Sequence, residues 1–169
     1  MKNIILIGMP GAGKSTIGVI LAKTLGVDFV DTDIVIQNRT GELLCQTLDR
    51  VGVAGLLDEE EAAIRELDLR SKISVVATGG SAVLRETSMD HLRANGVCVY
   101  LSLPYSVISR RVNNRDTRGI AAEKGETLKD IYNFRKPYYE RYADFTVDCR
   151  GNSAEKNVAE ILRVLIGIE

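Results

Sequence analysis

Cysteine and histidine are scarce in this chain, and neither sign of charge dominates. The three cysteines among 169 residues, Cys45, Cys98 and Cys149, are odd in number, far apart and match no metal-ligand spacing. That excludes a disulfide framework and fits a reducing compartment, with all three thiols in structural roles. Histidine occurs once, at His91, inside a stretch that reads as a surface helix. Net charge is −1 and the pI about 5.9, so no electrostatic basis exists for binding nucleic acid or a membrane surface. Long hydrophobic runs are also missing. The apolar run Ile4–Ile7 is far shorter than the roughly 20 residues of a membrane span, and the glycine-rich segment behind it is no signal-cleavage region. No repeat or low-complexity tract stands out. The expectation is a cytoplasmic monomer without nucleic-acid or membrane partners.

What is present is an alternation of short, β-branched apolar runs with helical patterns over a length that suits one domain, 1–169. Strands are expected at Ile4–Ile7, Phe29–Asp31, Ser74–Ala77, Val97–Leu101 and Phe145–Val147. Helices are expected over Lys14–Leu25, Ile34–Arg39, Glu42–Val51, Asp58–Leu69, Ser88–Asn95, Tyr105–Arg111, Thr127–Arg141 with a kink or break at Pro137, and Ser153–Ile166. Such alternation implies a three-layer α/β/α fold around a central, mostly parallel five-stranded sheet. Ligands of such sheets bind beyond the carboxyl ends of the strands. The polar, glycine-containing segment around 112–126 is long for a connection inside a compact domain and reads as a lid, or else as an ordinary surface loop.

Gly8-Met9-Pro10-Gly11-Ala12-Gly13-Lys14-Ser15 fits G-x-x-x-x-G-K-[ST] at every required position, between a strand and a helix. The glycines allow backbone N–H groups to converge on phosphate oxygens, and the helix N-terminus adds partial positive charge. Gly11, Ala12, Gly13 and Thr16 are therefore expected to cradle the phosphates of ATP. Lys14 is expected to reach the β- and γ-phosphates, and Ser15 to ligate Mg2+.

Asp31-Thr32-Asp33 follows the second strand. Two carboxylates at i and i+2 on extended chain face one side. Beside a phosphate loop, one suits the metal and the other an attacking hydroxyl. The alternative is a helix N-cap, with Asp33 ahead of Ile34. The acidic run Asp58–Glu61 reads as the solvated N-terminal end of a helix.

With Ala77-Thr78-Gly79-Gly80, Arg111, Arg118 and the Arg135-Lys136-Pro137-Tyr138-Tyr139 stretch added, the chain resembles the shikimate kinases over nearly its whole length. These are small P-loop kinases with the fold of nucleoside monophosphate kinases. The resemblance implies ATP and Mg2+ as cofactors and a small hydroxyl acceptor, shikimate, as partner. It places Asp31 near the metal and gives Asp33 the acceptor hydroxyl, to orient it or to act as its base, in the catalytic set with Lys14 and Arg118. It sets the backbone of Gly79 and Gly80 against substrate, Arg135 on the substrate carboxylate, Arg111 near the adenine and Arg118 in the lid. The acceptor-binding helices would fall within 34–70.

The stretch Gly52-Val53-Ala54-Gly55-Leu56-Leu57-Asp58-Glu59-Glu60 departs from the family's G-E-x-x-F-R-x-x-E. Leu57 stands where an arginine for the acceptor's carboxylate is expected, and Leu56 replaces the aromatic. Ser81 replaces a third glycine, and Gly119-Ile120-Ala121 replaces Pro-Leu-Leu. Three outcomes stay open: Arg135 alone holds the acid, Arg39, Arg50 or Arg65 substitutes, or the acceptor is another molecule such as a sugar acid. A nucleotide-binding protein without turnover is the remaining alternative.

Overall fold

The structure, a computed structural model, describes residues 1–112 and 119–166. Five strands form one sheet in the order β2-β3-β1-β4-β5: β1 (Asn3–Ile7), β2 (Asp28–Asp31), β3 (Ser74–Ala77), β4 (Gly96–Ser102) and β5 (Phe145–Asp148). Every pairing is parallel. Central β1 is buried along its whole length, which is why its sequence is continuously apolar rather than alternating. The chain winds first to one side of β1 and then to the other. The carboxyl end of β1 thus opens on the crevice where strand order reverses.

Helices cover the sheet. α1 (Lys14–Leu25) packs on β3 and against α7 (Ala154–Leu165), while α4 (Glu86–Asn95) and α6 (Leu128–Tyr142) pack on β4. α5 (Tyr105–Arg111) precedes the segment that leads to α6. A buried polar staple ties the far end of the sheet. Asn3 Nδ2 donates to the carbonyls of Leu69 and Asn95, both at 2.7 Å, and Asn3 Oδ1 accepts from the Ser74 amide at 2.8 Å.

Local expectations were revised in three places. Two separate helices on either side of residue 52 join instead into α3 (Leu44–Arg65), kinked at Gly52, whose φ of 71° and ψ of −177° are non-helical. The helix ends at Arg65, four residues early, because Asp68 forms a turn by accepting from the Arg70 and Ser71 amides. Pro137 lies inside α6 without ending it. His91 is half-buried rather than a surface residue, with a buried, unpartnered Nε2. Among the described residues, no helix is long and apolar enough to cross a membrane.

Candidate active site

The phosphate loop joins the end of β1 to the start of α1, and its glycines take positive φ: 147° at Gly8, 80° at Gly11 and 94° at Gly13. No side chain caps α1, so its first amides remain for a ligand. Lys14 lies on the floor of this cradle. Its Nζ donates to the carbonyls of Gly8 at 2.7 Å and Met9 at 2.9 Å. Burial pulls its pKa down to about 8, against the pull of Asp33, Asp31 and Glu60. Ser15 and Thr16 are exposed at the mouth. Arg111, at the end of α5, reaches over the loop and donates to the Gly11 carbonyl at 3.2 Å.

A cavity of about 640 Å³ starts at this cradle and runs toward α3. Gly11, Gly13, Lys14, Ser15, Thr16, Asp33, Gly79, Gly80, Arg111 and Arg135 all line it, so most of the sequence-derived site meets in one place. Ala12 is buried beneath the loop. Arg118 lies outside the described residues.

Asp31 stands apart from that lining. It is the N-cap of α2 (Thr32–Thr40), with Oδ1 accepting from the Asp33 amide at 3.0 Å. The capping alternative assigned to Asp33 therefore belongs to Asp31, and the Asp33 side chain is free to face the cavity. Burial and the neighbouring Asp31 push the Asp33 carboxyl up to about 6, with Lys14 opposing.

Gly79 explains its own identity. A Cβ there would collide with Glu60 Oε1 and approach Asp33 Oδ1 to 3.0 Å. Its amide donates to Thr32 Oγ1 at 2.9 Å, which fixes the loop to the end of β2. Gly80 is held by α6: Tyr139 Oη donates to its carbonyl at 2.5 Å, and the Tyr139 ring stacks on Tyr100. Arg135, one turn before Tyr139, is buried and donates to the Ala121 carbonyl. The segment at 119–121 packs so closely on the start of α3 that a Cβ on Gly119 would overlap Leu44.

Three contributors appear in the sequence motifs but were assigned no site role from them. The acidic run Asp58–Glu61 is not uniformly solvated: Glu60 is 3% exposed and lines the cavity. Asp58 and Glu61 instead face Arg85 and Thr87. Helical spacing turns Glu60 inward while its neighbours point out. Ser81 Oγ donates to Glu60 Oε2 at 2.6 Å. Burial pushes the Glu60 carboxyl up to about 7, with Ser81 opposing. Tyr139 is the third. Its signals were its place at the end of the Arg135–Tyr139 stretch and its position four residues after Arg135, since i and i+4 share a helix face.

The candidate replacements for an acceptor-side arginine are committed elsewhere. Arg39 pairs with Glu59 at 3.1 Å and Glu66 at 2.6 Å, and Arg50 pairs with Glu42 at 3.0 Å. Arg65 is exposed outside the cavity. Leu56, not Leu57, contributes to the lining.

The residues present fit a magnesium nucleotide. Exposed backbone donors and a buried amine suit phosphate, while hydroxyl and carboxylate oxygens suit a hard cation that keeps most of its ligands from water and phosphate.

The sequence profile of the shikimate kinases matches residues 10–166. A shikimate kinase of Thiobacillus denitrificans is 40% identical over 167 residues, covering 98% of this chain and 88% of that protein. The human protein threonine synthase-like 1 is 35% identical over 94% of this chain, which spans only 21% of that longer protein. Among solved structures, the shikimate kinase of Acinetobacter baumannii in complex with shikimate superimposes with a TM-score of 0.92 at 29% identity, covering 100% of this chain and 95% of that one. A phosphate cradle and an acceptor pocket that share one cavity, on this sheet and with these relatives, place the chain in the shikimate kinase family.

Proposed function

We propose that this protein transfers the γ-phosphoryl group of ATP to a hydroxyl of shikimate, giving shikimate 3-phosphate. The carrying observation is the single cavity in which Lys14, Asp33, Gly79 and Arg135 converge.

In this scheme the loop amides of Gly11 to Thr16 hold the phosphates, and Arg111 lies against the adenine. Ser15 would hold the metal directly, and Asp31 would orient it through water. Magnesium, when bound, neutralises charge on the β- and γ-phosphate oxygens. Lys14 leaves the Gly8 and Met9 carbonyls for the β/γ oxygens and stabilises the charge that develops there. Asp33 accepts the hydrogen bond of the attacking hydroxyl and takes its proton as the new P–O bond forms. Backbone groups of Gly79 and Gly80 fix the acceptor ring, and Arg135 offers a guanidinium fork to its carboxylate. The family resemblance assigns a lid to residues 112–126 and the transferring phosphoryl to Arg118, of which 113–118 lie outside the described residues. The helices of 34–70 hold the acceptor. The protein works as a cytoplasmic monomer, a placement supported by free cysteines and near-zero net charge.

Coupled ADP release with and without millimolar shikimate tests the assignment. Shikimate-dependent turnover is expected. Turnover only with another polyol would keep the kinase chemistry and remove shikimate. Nucleotide binding without turnover on any acceptor would leave a nucleotide-binding protein.

A further inference from the structure

The acceptor half of the cavity is short of positive charge. Among the described residues, Arg135 is its one arginine, while Asp33 and Glu60 both place carboxyl oxygens against Gly79. Among the described residues Glu60 has no ion-pair partner; its hydrogen-bond donor is the Ser81 hydroxyl. The residues three and four positions before it on the same helix face are Leu57 and Leu56, which offer no charge. The groups facing Glu60 are Ser81 from the glycine loop, Asp33 from α2, Lys14 from α1, and Arg135 and Tyr139 from α6.

An acidic acceptor adds a third carboxylate to this pocket. Lys14 is drawn to the phosphates and cannot balance it. Two buried like charges without a shared cation favour protonation of one of them. Asp33 must stay ionised to accept the hydroxyl proton and lies nearer Lys14. Glu60 is free to be neutral, and its partner suits both states. A serine hydroxyl donates to a carboxylate and, after rotating, accepts from a carboxylic acid without moving its heavy atoms. An arginine in that place would hold the carboxyl ionised.

We propose that Ser81 and Glu60 form a proton-accepting pair that tunes acceptor specificity, so that binding of an acidic acceptor draws one proton onto Glu60. Together with Leu57, the pair lets a single arginine, Arg135, serve the acceptor's charge. The shift of the Glu60 carboxyl toward neutrality is the same preference seen before the acceptor binds. Above that range acceptor affinity falls up to about tenfold per pH unit, because each bound molecule must bring in a proton. Glu60 here is a specificity residue and does not take part in phosphoryl transfer.

The proposal rests on the acidic acceptor named above, and the test separates the two. Titration calorimetry with shikimate near pH 8, in buffers of different ionisation enthalpy, is expected to show net proton uptake. Glu60→Gln, the neutral isostere, is expected to keep binding, lose the uptake and flatten the pH dependence. Uptake that persists in Glu60→Gln, or binding without uptake in the native protein, would overturn the pair's role. Absence of any binding heat would sink shikimate itself. The 13C carboxyl titration of Glu60, assigned by its loss in Glu60→Gln, then decides the pair alone. A midpoint near neutrality supports it, and one near the ordinary glutamate value overturns it. Ser81→Ala is expected to move that midpoint upward by removing the donor to the ionised form; no movement counts against the pair.

Discussion

The donor and acceptor halves of the cavity are built on different terms. The donor half is mostly backbone: three glycines in positive φ, the uncapped start of α1 and one buried lysine. Its lining comes mostly from a local stretch of nine residues, Gly8 to Thr16. The acceptor half is made of side chains from α2, α3, α6 and the loop after β3, and its charges do not cancel locally. A backbone cradle tolerates change around it. A side-chain pocket assembled from four elements changes character when Leu56 and Ser81 line it.

The sharpest way to separate the halves is Lys14→Met, which preserves packing on the cradle floor but removes the charge. Turnover is expected to fall about 10³-fold, measured as coupled ADP release, in line with the loss of a preorganised transition-state contact. Shikimate binding by calorimetry should be almost unchanged. A matching loss of shikimate affinity would show that the halves are not separable.

Next in size is Arg135→Ala. With the one acceptor-side arginine among the described residues removed, KM for an acidic acceptor should rise about 10²-fold, the scale of a buried charge-assisted contact. KM for ATP should stay within a few-fold. Equal damage to acidic and neutral acceptors would mean that Arg135 holds the Ala121 segment in place and does not bind a carboxylate.

The pH profile probes the boundary between halves at Asp33. Its carboxyl, pushed up to about 6, must be ionised to accept the hydroxyl proton. kcat/KM is therefore expected to fall about tenfold per unit as pH drops below 6. An acid limb centred near 4 would contradict the raised value. The same shift has a stability counterpart. The folded state favours protonated Asp33, a contribution complete below the unfolded value and lost as pH rises through about 6. Asp33→Asn should consequently raise the melting temperature by a few degrees at pH 8 but not near pH 4.

The smallest effect is expected from Leu57→Arg. Leu57 is only partly buried, so a longer side chain can be accommodated there. A cation one turn from Glu60 should lower the Glu60 titration and tighten an acidic acceptor a few-fold, as an added partly solvated charge contact does. Loss of acceptor affinity would indicate that the pocket is tuned to a single arginine.

Much of this was legible from residue order. The phosphate loop declares itself because its contacts are consecutive backbone groups, and backbone conformation is written in glycine and proline spacing. The sheet was legible because buried parallel strands are continuous apolar runs, as at Ile4–Ile7 and Val97–Leu101. Glu60 was hidden by its neighbours, since Asp58, Glu59 and Glu61 make a charged run whose one inward member emerges only once α3 has an orientation. The helix cap fell to Asp31 and not Asp33 for a similar reason, because which carboxylate caps α2 depends on where the helix starts.

The sequence by itself determined a P-loop α/β protein with a complete phosphate-binding stretch, because short-range chemistry suffices to specify a turn, a strand and a helix start. Only the tertiary structure decided which side chains line the half of the cavity beside α3 and α6. It committed Arg39 and Arg50 to other carboxylates, left Arg135 as the pocket's arginine among the described residues and joined Ser81 to Glu60. Those contacts join residues from 8 apart, as Arg50 and Glu42, to 27 apart, as Arg39 and Glu66, with Ser81 and Glu60 lying 21 apart. Chain order cannot set such contacts, because they depend on how helices pack across a folded sheet.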